Sequence, residues 1–264
     1  MGKRENKSKT IYYTDELTDD FAGVERKTVN IDADFKFIRN GVLWRTVAFA
    51  AYRILMTPVA YLYCKLFLGL KKVNNTRVPI KKCGGCFLYS NHTLLTGDAF
   101  LPTVMMFPKK VYPIVNPENI STVGTKNFLL MCGAIPIPQS PSAFKGFLGA
   151  VDERVRQGHC VSVYPEAHIW RYYTGIRPFE NKSFRFPVKS DAPVYVSTTT
   201  FHKRRFLKSP RITVYLEGPL YPDTSLPPKE AQKKLRDEVY EIMCRNSQNS
   251  TYAFYKYIRK EQSE

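Results

Sequence analysis

The sequence predicts an α/β domain, a mostly parallel sheet covered by helices, with an N-terminal interfacial helical element. Three features carry this prediction. From residue 83 onward, short apolar runs alternate with stretches of helical periodicity, the pattern of strands joined by crossover helices. Ahead of them lies an apolar segment, residues 42–70, broken by Arg45, Arg53 and Lys65. Before that, the chain is polar and charged, with Asp15-Glu-Leu-Thr-Asp-Asp20 at its centre. The 264 residues therefore divide into a polar arm (1–40), membrane-interface helices (41–72) and one main domain (73–264). The arm is expected to be loosely ordered, with room for a short helix.

Composition sets the first bounds. Hydrophobic residues make up 44% and aromatics 14%, enough for a buried core and too much for a disordered chain. Lys and Arg number 40 against 23 Asp and Glu, a net charge of +17. Such an excess suits a polyanionic partner: nucleic acid, an anionic membrane surface or a phosphorylated substrate. No zinc-finger, RRM or helix-turn-helix pattern accompanies the charge, which places nucleic acid last among the three.

The segment 42–70 does not read as a membrane span. Its longest charge-free run, Ile54–Cys64, has 11 residues, against the roughly 20 needed to cross a bilayer, and Pro58 would kink a helix there. On a helical wheel Arg45 and Arg53 lie about 80° apart and leave a broad apolar face. That fits a helix, or a kinked pair, lying in the bilayer interface with Trp44, Tyr52, Tyr61 and Tyr63 at headgroup level. Lys71, Lys72, Arg77, Lys81 and Lys82 follow at once, suited to an anionic leaflet. A core helix of the domain is the plainer reading of the same residues.

Strands are expected at Cys86–Ser90, Val111–Val115, Ala134–Ile137, Cys160–Tyr164, Pro193–Thr199 and Ile212–Leu216. Helices are expected at Thr93–Met106, Val123–Cys132, Ser142–Gln157 and Pro228–Arg245. In the third helix Phe144, Phe147, Leu148, Val151 and Val155 recur at three-to-four spacing, and Gly158 ends it. The six cysteines show no secreted-framework spacing, and the basic N-terminus runs into polar sequence, which together point to a reducing, cytoplasmic-side protein. Cys83-Gly-Gly-Cys86 lacks the second half of a zinc site and enters a strand, so it reads as small residues at a strand start.

Two strand ends carry the chemistry. The first apolar strand runs into Ser90-Asn91-His92, with Asp98 shortly after. A carboxylate that holds one imidazole nitrogen protonated leaves the other free to take a hydroxyl proton, and the carboxyl edge of a parallel sheet is where such groups collect. The second strand, Val161-Ser-Val-Tyr164, stops at Pro165-Glu166 and brings a carboxylate to the same edge. A cationic stretch follows, with Arg171, Arg177, Lys182 and Arg185. No Gly-x-Ser-x-Gly elbow occurs, which disfavours a serine hydrolase.

His92 with Asp98 after a strand, Pro165-Glu166, the Pro178-Phe179 to Phe184-Arg185 stretch, Gly133–Ile137 and the late strand Ala192-Pro-Val-Tyr-Val196 occur in the order found in the glycerolipid acyltransferases. Over about residues 42–245 the sequence resembles their 1-acylglycerol-3-phosphate (lysophosphatidate) acyltransferase group. The resemblance implies transfer of a fatty acyl group from acyl-CoA or acyl carrier protein to the hydroxyl of lysophosphatidate, and with the basic charge and the segment 42–70 it places the protein on the cytoplasmic face of a membrane with anionic lipids. It implies no cofactor, no metal and no covalent acyl-enzyme. His92 matches the catalytic base, Asp98 its orienting acid, and Glu166 the acidic residue that places the acceptor.

The sequence departs from that group at three places. Five residues separate His92 from Asp98, where the pattern has four. On a continuous helix the extra residue turns the carboxylate by about 100°, so a loop at Thr96-Gly97 must absorb it. The Glu-Gly-Thr-Arg block reads Glu166-Ala-His-Ile169, and the Phe-Ile-Asp-Arg block reads Pro136-Ile-Pro-Gln139. Both lack an arginine that the resemblance assigns to the acceptor's phosphate. Arg171, Arg177, Lys182 and Arg185 are the candidate replacements. The alternatives are an acyltransferase acting on another lysolipid, or a membrane lipid-binding relative that has lost activity.

Overall fold

The computed structural model describes residues 9–23, 30–121 and 124–260. In chain order the elements are β1 (Lys9–Tyr13), α1 (Val42–Phe67), β2 (Lys71–Thr76), β3 (Cys86–Ser90), α2 (Gly97–Met105), β4 (Val111–Val115), α3 (Lys126–Met131) and β5 (Ile135–Pro136). There follow α4 (Pro141–Arg156), β6 (Cys160–Val163), α5 (Arg185–Ser190), β7 (Val194–His202), β8 (Arg211–Leu220), α6 (Pro228–Ser247) and β9 (Tyr255–Arg259).

Seven strands form the central sheet in the order β2-β8-β7-β3-β6-β4-β5. Strands β3 to β7 run parallel, and β8 turns antiparallel to β7 with β2 parallel to it at the edge. Side-chain alternation splits the core in two. Leu88, Tyr195, Ile212 and Val214 face α1 and α2 together with Cys64, Leu101 and Met105. Phe87, Tyr89, Val161 and Val196 face α4, α5 and α6 together with Phe147, Val151, Phe186, Leu235 and Val239. The result is the expected three-layer α/β architecture.

The apolar segment forms one helical column of 26 residues with mean hydropathy 1.3 over its best window, not a kinked pair. Two π-helical stretches, Ala50–Met56 and Tyr63–Phe67, flank the turn that holds Pro58. A wider wind accommodates an interrupted ladder without a break. One narrow stripe of α1 is buried on the domain: Ala48, Tyr52, Thr57, Ala60 and Cys64. Val42, Leu43, Phe49, Ile54, Leu66 and Phe67 stand exposed.

Tyr52 does not reach a headgroup level. It is buried, its hydroxyl sharing a hydrogen bond with Thr103 Oγ1 at 3.1 Å and accepting one from the Val111 amide at 2.9 Å. Lys72 is exposed on β2, its ammonium donating to the Met105 carbonyl at 2.9 Å.

The polar arm is not loose where it is described. Its strand β1 pairs in parallel with β9, from Lys9 opposite Tyr255 to Tyr13 opposite Arg259. Together they make a two-stranded ribbon that joins the two ends of the chain. Residues 1–8, the N-terminal part of the expected arm, lie outside the described residues, as do 24–29.

Candidate active site

Strands β3 and β6 are neighbours in parallel register, Cys86 to Tyr89 opposite Cys160 to Val163. Their carboxyl ends therefore bring His92 and Glu166 to one edge. Asn91 fixes the exit of β3: its amide donates to the Thr199 carbonyl at 3.1 Å and accepts from the Thr199 amide at 2.8 Å. That pins the loop carrying His92 to β7.

His92 Nδ1 lies 2.7 Å from Asp98 Oδ2. The same oxygen accepts the backbone N–H groups of Thr93 and Leu94, each at 2.9 Å. Three donors on one carboxylate oxygen hold it fixed. This binds the imidazole as the Nδ1–H tautomer and leaves Nε2 as the free base, with no hydrogen bond to it among the described residues. The His92 side chain is 17% exposed and Asp98 3%, so the base meets solvent while its orienter does not.

The surplus residue between the pair is absorbed as the spacing requires. Residues 93–96 form a loop that ends in a turn at 95–96, α2 begins at Gly97, and Asp98 sits in its first turn. Gly97 is needed there for space, not for an unusual backbone angle: a Cβ would come within 2.9 Å of Leu94 and 3.1 Å of Leu68.

Tyr164, which carried no role in the sequence analysis, completes the base. Its ring stacks on the imidazole with centroids 4.4 Å apart at 26°, and its hydroxyl donates to the Asp98 carbonyl at 2.6 Å. Burial pushes the phenol well above its ordinary range, so it stays a donor. An electron-rich face against the ring favours a developing imidazolium.

Glu166 is fully buried. Its Oε2 lies 3.5 Å from Arg177 Nη2 and 3.4 Å from the His92 amide that donates to it. Burial raises the carboxyl to about 6, against the opposing pull of Arg177. Arg177 also donates to the carbonyls of Glu166 and Glu16, at 3.1 and 3.0 Å, and to that of His168. Its guanidinium lies 5.1 Å over the ring of Trp170. Trp170 is itself buried, stacked on Tyr257 of β9 at 4.9 Å and donating to the Asp19 carbonyl at 2.8 Å. The terminal ribbon thus closes over the loop that carries Glu166.

The other cations diverge. Arg171 donates to the Ala22 carbonyl at 2.6 Å. Lys182 is exposed and paired with Glu180 at 2.6 Å. Arg185 is exposed with its guanidinium 5.5 Å over Phe144. His92, Asp98, Tyr164, Glu166 and Arg177 form one connected cluster, and Arg171, Lys182 and Arg185 stand on separate contacts. No group of three or more His, Cys, Asp or Glu side chains placed to hold a metal occurs among the described residues.

No protein-family model matches the chain, and no curated protein matches it. Its structure is similar to the crystal structure of the 1-acyl-sn-glycerophosphate (LPA) acyltransferase PlsC from Thermotoga maritima. The TM-score is 0.53, over 81% of this chain and 84% of that one, at 16% identity. At that identity the likeness is one of fold.

Proposed function

We propose that the chain is an O-acyltransferase that moves a fatty acyl group from an acyl thioester to the hydroxyl of lysophosphatidate at a membrane surface. The observation that carries this reading is the His92–Asp98 pair at the carboxyl end of β3, in a fold shared with a lysophosphatidate acyltransferase. His92 Nε2 takes the acceptor's hydroxyl proton as the oxygen attacks the thioester carbonyl. Asp98 stabilises the imidazolium, and Tyr164 keeps the ring in plane. Collapse of the tetrahedral oxyanion expels the thiolate, which recovers the proton from Nε2. The Thr93 and Leu94 amides are engaged by Asp98, so the oxyanion takes its donors elsewhere. Glu166, held by Arg177, positions the His92 amide and the loop beside it.

The membrane reading rests on α1. Its exposed apolar face is broad, yet its buried stripe runs from Ala48 to Cys64 along the domain. A helix fastened over that length cannot cross a bilayer without carrying the domain in, so it lies in the interface. A second reading, transfer to another lysolipid, is favoured by the engagement of Arg171, Arg177, Lys182 and Arg185 with other groups. Offering lysophosphatidate, glycerol 3-phosphate and a neutral lysolipid side by side with acyl-CoA tests both. Lysophosphatidate as preferred acceptor supports the proposal, preference for a neutral lysolipid supports the second reading, and inactivity on all three with either CoA or carrier-protein thioesters overturns both.

A further inference from the structure

Phe206 is 87% exposed, the most exposed large hydrophobic side chain among the described residues, and its neighbour Leu207 is 56% exposed. Both sit at the tip of the β7–β8 hairpin, inside the run Lys203-Arg-Arg-Phe-Leu-Lys208. None of the four cations in that run forms an ion pair among the described residues. Arg205 lies 5.3 Å over the Phe206 ring. An aromatic and an aliphatic side chain here are exposed beside four cations that form no ion pair among the described residues. They match a surface that is apolar inside and anionic at its boundary.

Topology aims the tip. Ser197 of β7 pairs with Ser90 at the end of β3, and β7 continues to His202. At about 3.3 Å per residue the hairpin projects roughly 17 Å beyond the level where β3 ends and His92 begins. It is also fastened to the end of α1. Arg204 donates to the Phe67 carbonyl at 2.5 Å, the Ile212 amide donates to the Leu68 carbonyl at 3.1 Å, and Gly69 leaves room for the guanidinium, where a Cβ would come within 3.0 Å. That end of α1 exposes Leu66 and Phe67.

We infer that the hairpin tip is a second membrane-inserting element, which buries Phe206 and Leu207 among lipid chains while Lys203, Arg205 and Lys208 contact anionic headgroups. Its position beyond the carboxyl edge sets that edge, and His92 with it, against the bilayer. A lysolipid then reaches the base without leaving the membrane. The inference rests on the interfacial placement of α1, and the test separates the two.

The full chain is prepared with a benzophenone side chain in place of Phe206, of Leu66, or of Lys233 on the solvent side of α6. Each is irradiated on vesicles of phosphatidylcholine and phosphatidylglycerol. Lipid adducts at 206 and 66 but not at 233 are expected. Adducts at 66 without any at 206 overturn the hairpin inference and leave the α1 reading standing; no vesicle binding at all overturns both. In parallel, Phe206→Ser with Leu207→Ser should weaken vesicle affinity by at least about tenfold and leave turnover of a water-soluble short-chain acceptor unchanged. Unaltered affinity in that double variant would equally overturn the inference.

Discussion

Asp98→Asn keeps the shape of the side chain and removes its charge. One oxygen, Oδ2, takes all three hydrogen bonds, from His92 Nδ1 at 2.7 Å and from the amides of Thr93 and Leu94 at 2.9 Å each. An asparagine oxygen in that position keeps all three, so the imidazole tautomer survives. The new amide nitrogen falls where Oδ1 now sits, buried and without a partner. The loss is therefore electrostatic. An imidazolium and a carboxylate about 4 Å apart attract by about 4 kcal/mol at an effective dielectric of about 20, which corresponds to a fall in kcat of about 10³. The unpartnered amide costs about 1–3 kcal/mol of stability. Steady-state thiol release with saturating acceptor, paired with thermal denaturation, reads both. A kcat within tenfold of the original, in a folded protein, would refute an imidazolium-stabilising role for Asp98.

Two further outcomes follow from the Glu166 loop. Glu166 is raised from 4.5 to about 6 by burial. Between those values the native carboxyl holds more proton than the unfolded one, so stability falls as pH rises and is lower by about 2 kcal/mol above pH 6. Glu166→Gln should flatten that slope in denaturant titrations across the window, and Arg177→Met, which removes the cation that lowers the group, should move the transition upward. Ala167 has φ of 63°, a left-handed conformation that disfavours a Cβ. Ala167→Gly should stabilise the fold by about 1 kcal/mol, read as a rise in the denaturation midpoint.

Much of this site was legible because strands β3 and β6 announce themselves as apolar runs and end on the residues that matter. His92 and Glu166 each follow a strand end directly, and a parallel sheet forces such ends together. The Ala167 strain was half visible, since the related pattern has glycine where this chain has alanine. Tyr164 was missed because a tyrosine closing an apolar strand looks like core. The surroundings of Arg177 were hidden for a different reason. In sequence it belongs to a cationic loop, and what buries it comes from both ends of the chain: the carbonyl of Glu16, and Trp170 beneath Tyr257. Strands β1 and β9 that make this closure are five residues each and separated by nearly the whole sequence, so no local pattern signals their pairing. Strand β2, Lys-Lys-Val-Asn-Asn-Thr, was hidden in the same way, its lysines reading as membrane cations.

The central claim is that His92 is the base for acyl transfer at a membrane. Thiol release from acyl-CoA, measured on vesicles carrying lysophosphatidate with vesicle binding followed in the same samples, tests it most directly. Substituting His92→Ala should cut turnover by at least about 10² while both proteins stay bound to the vesicles. Undiminished thiol release in the variant would contradict the claim, as would an original protein that releases no thiol from any CoA or carrier-protein thioester.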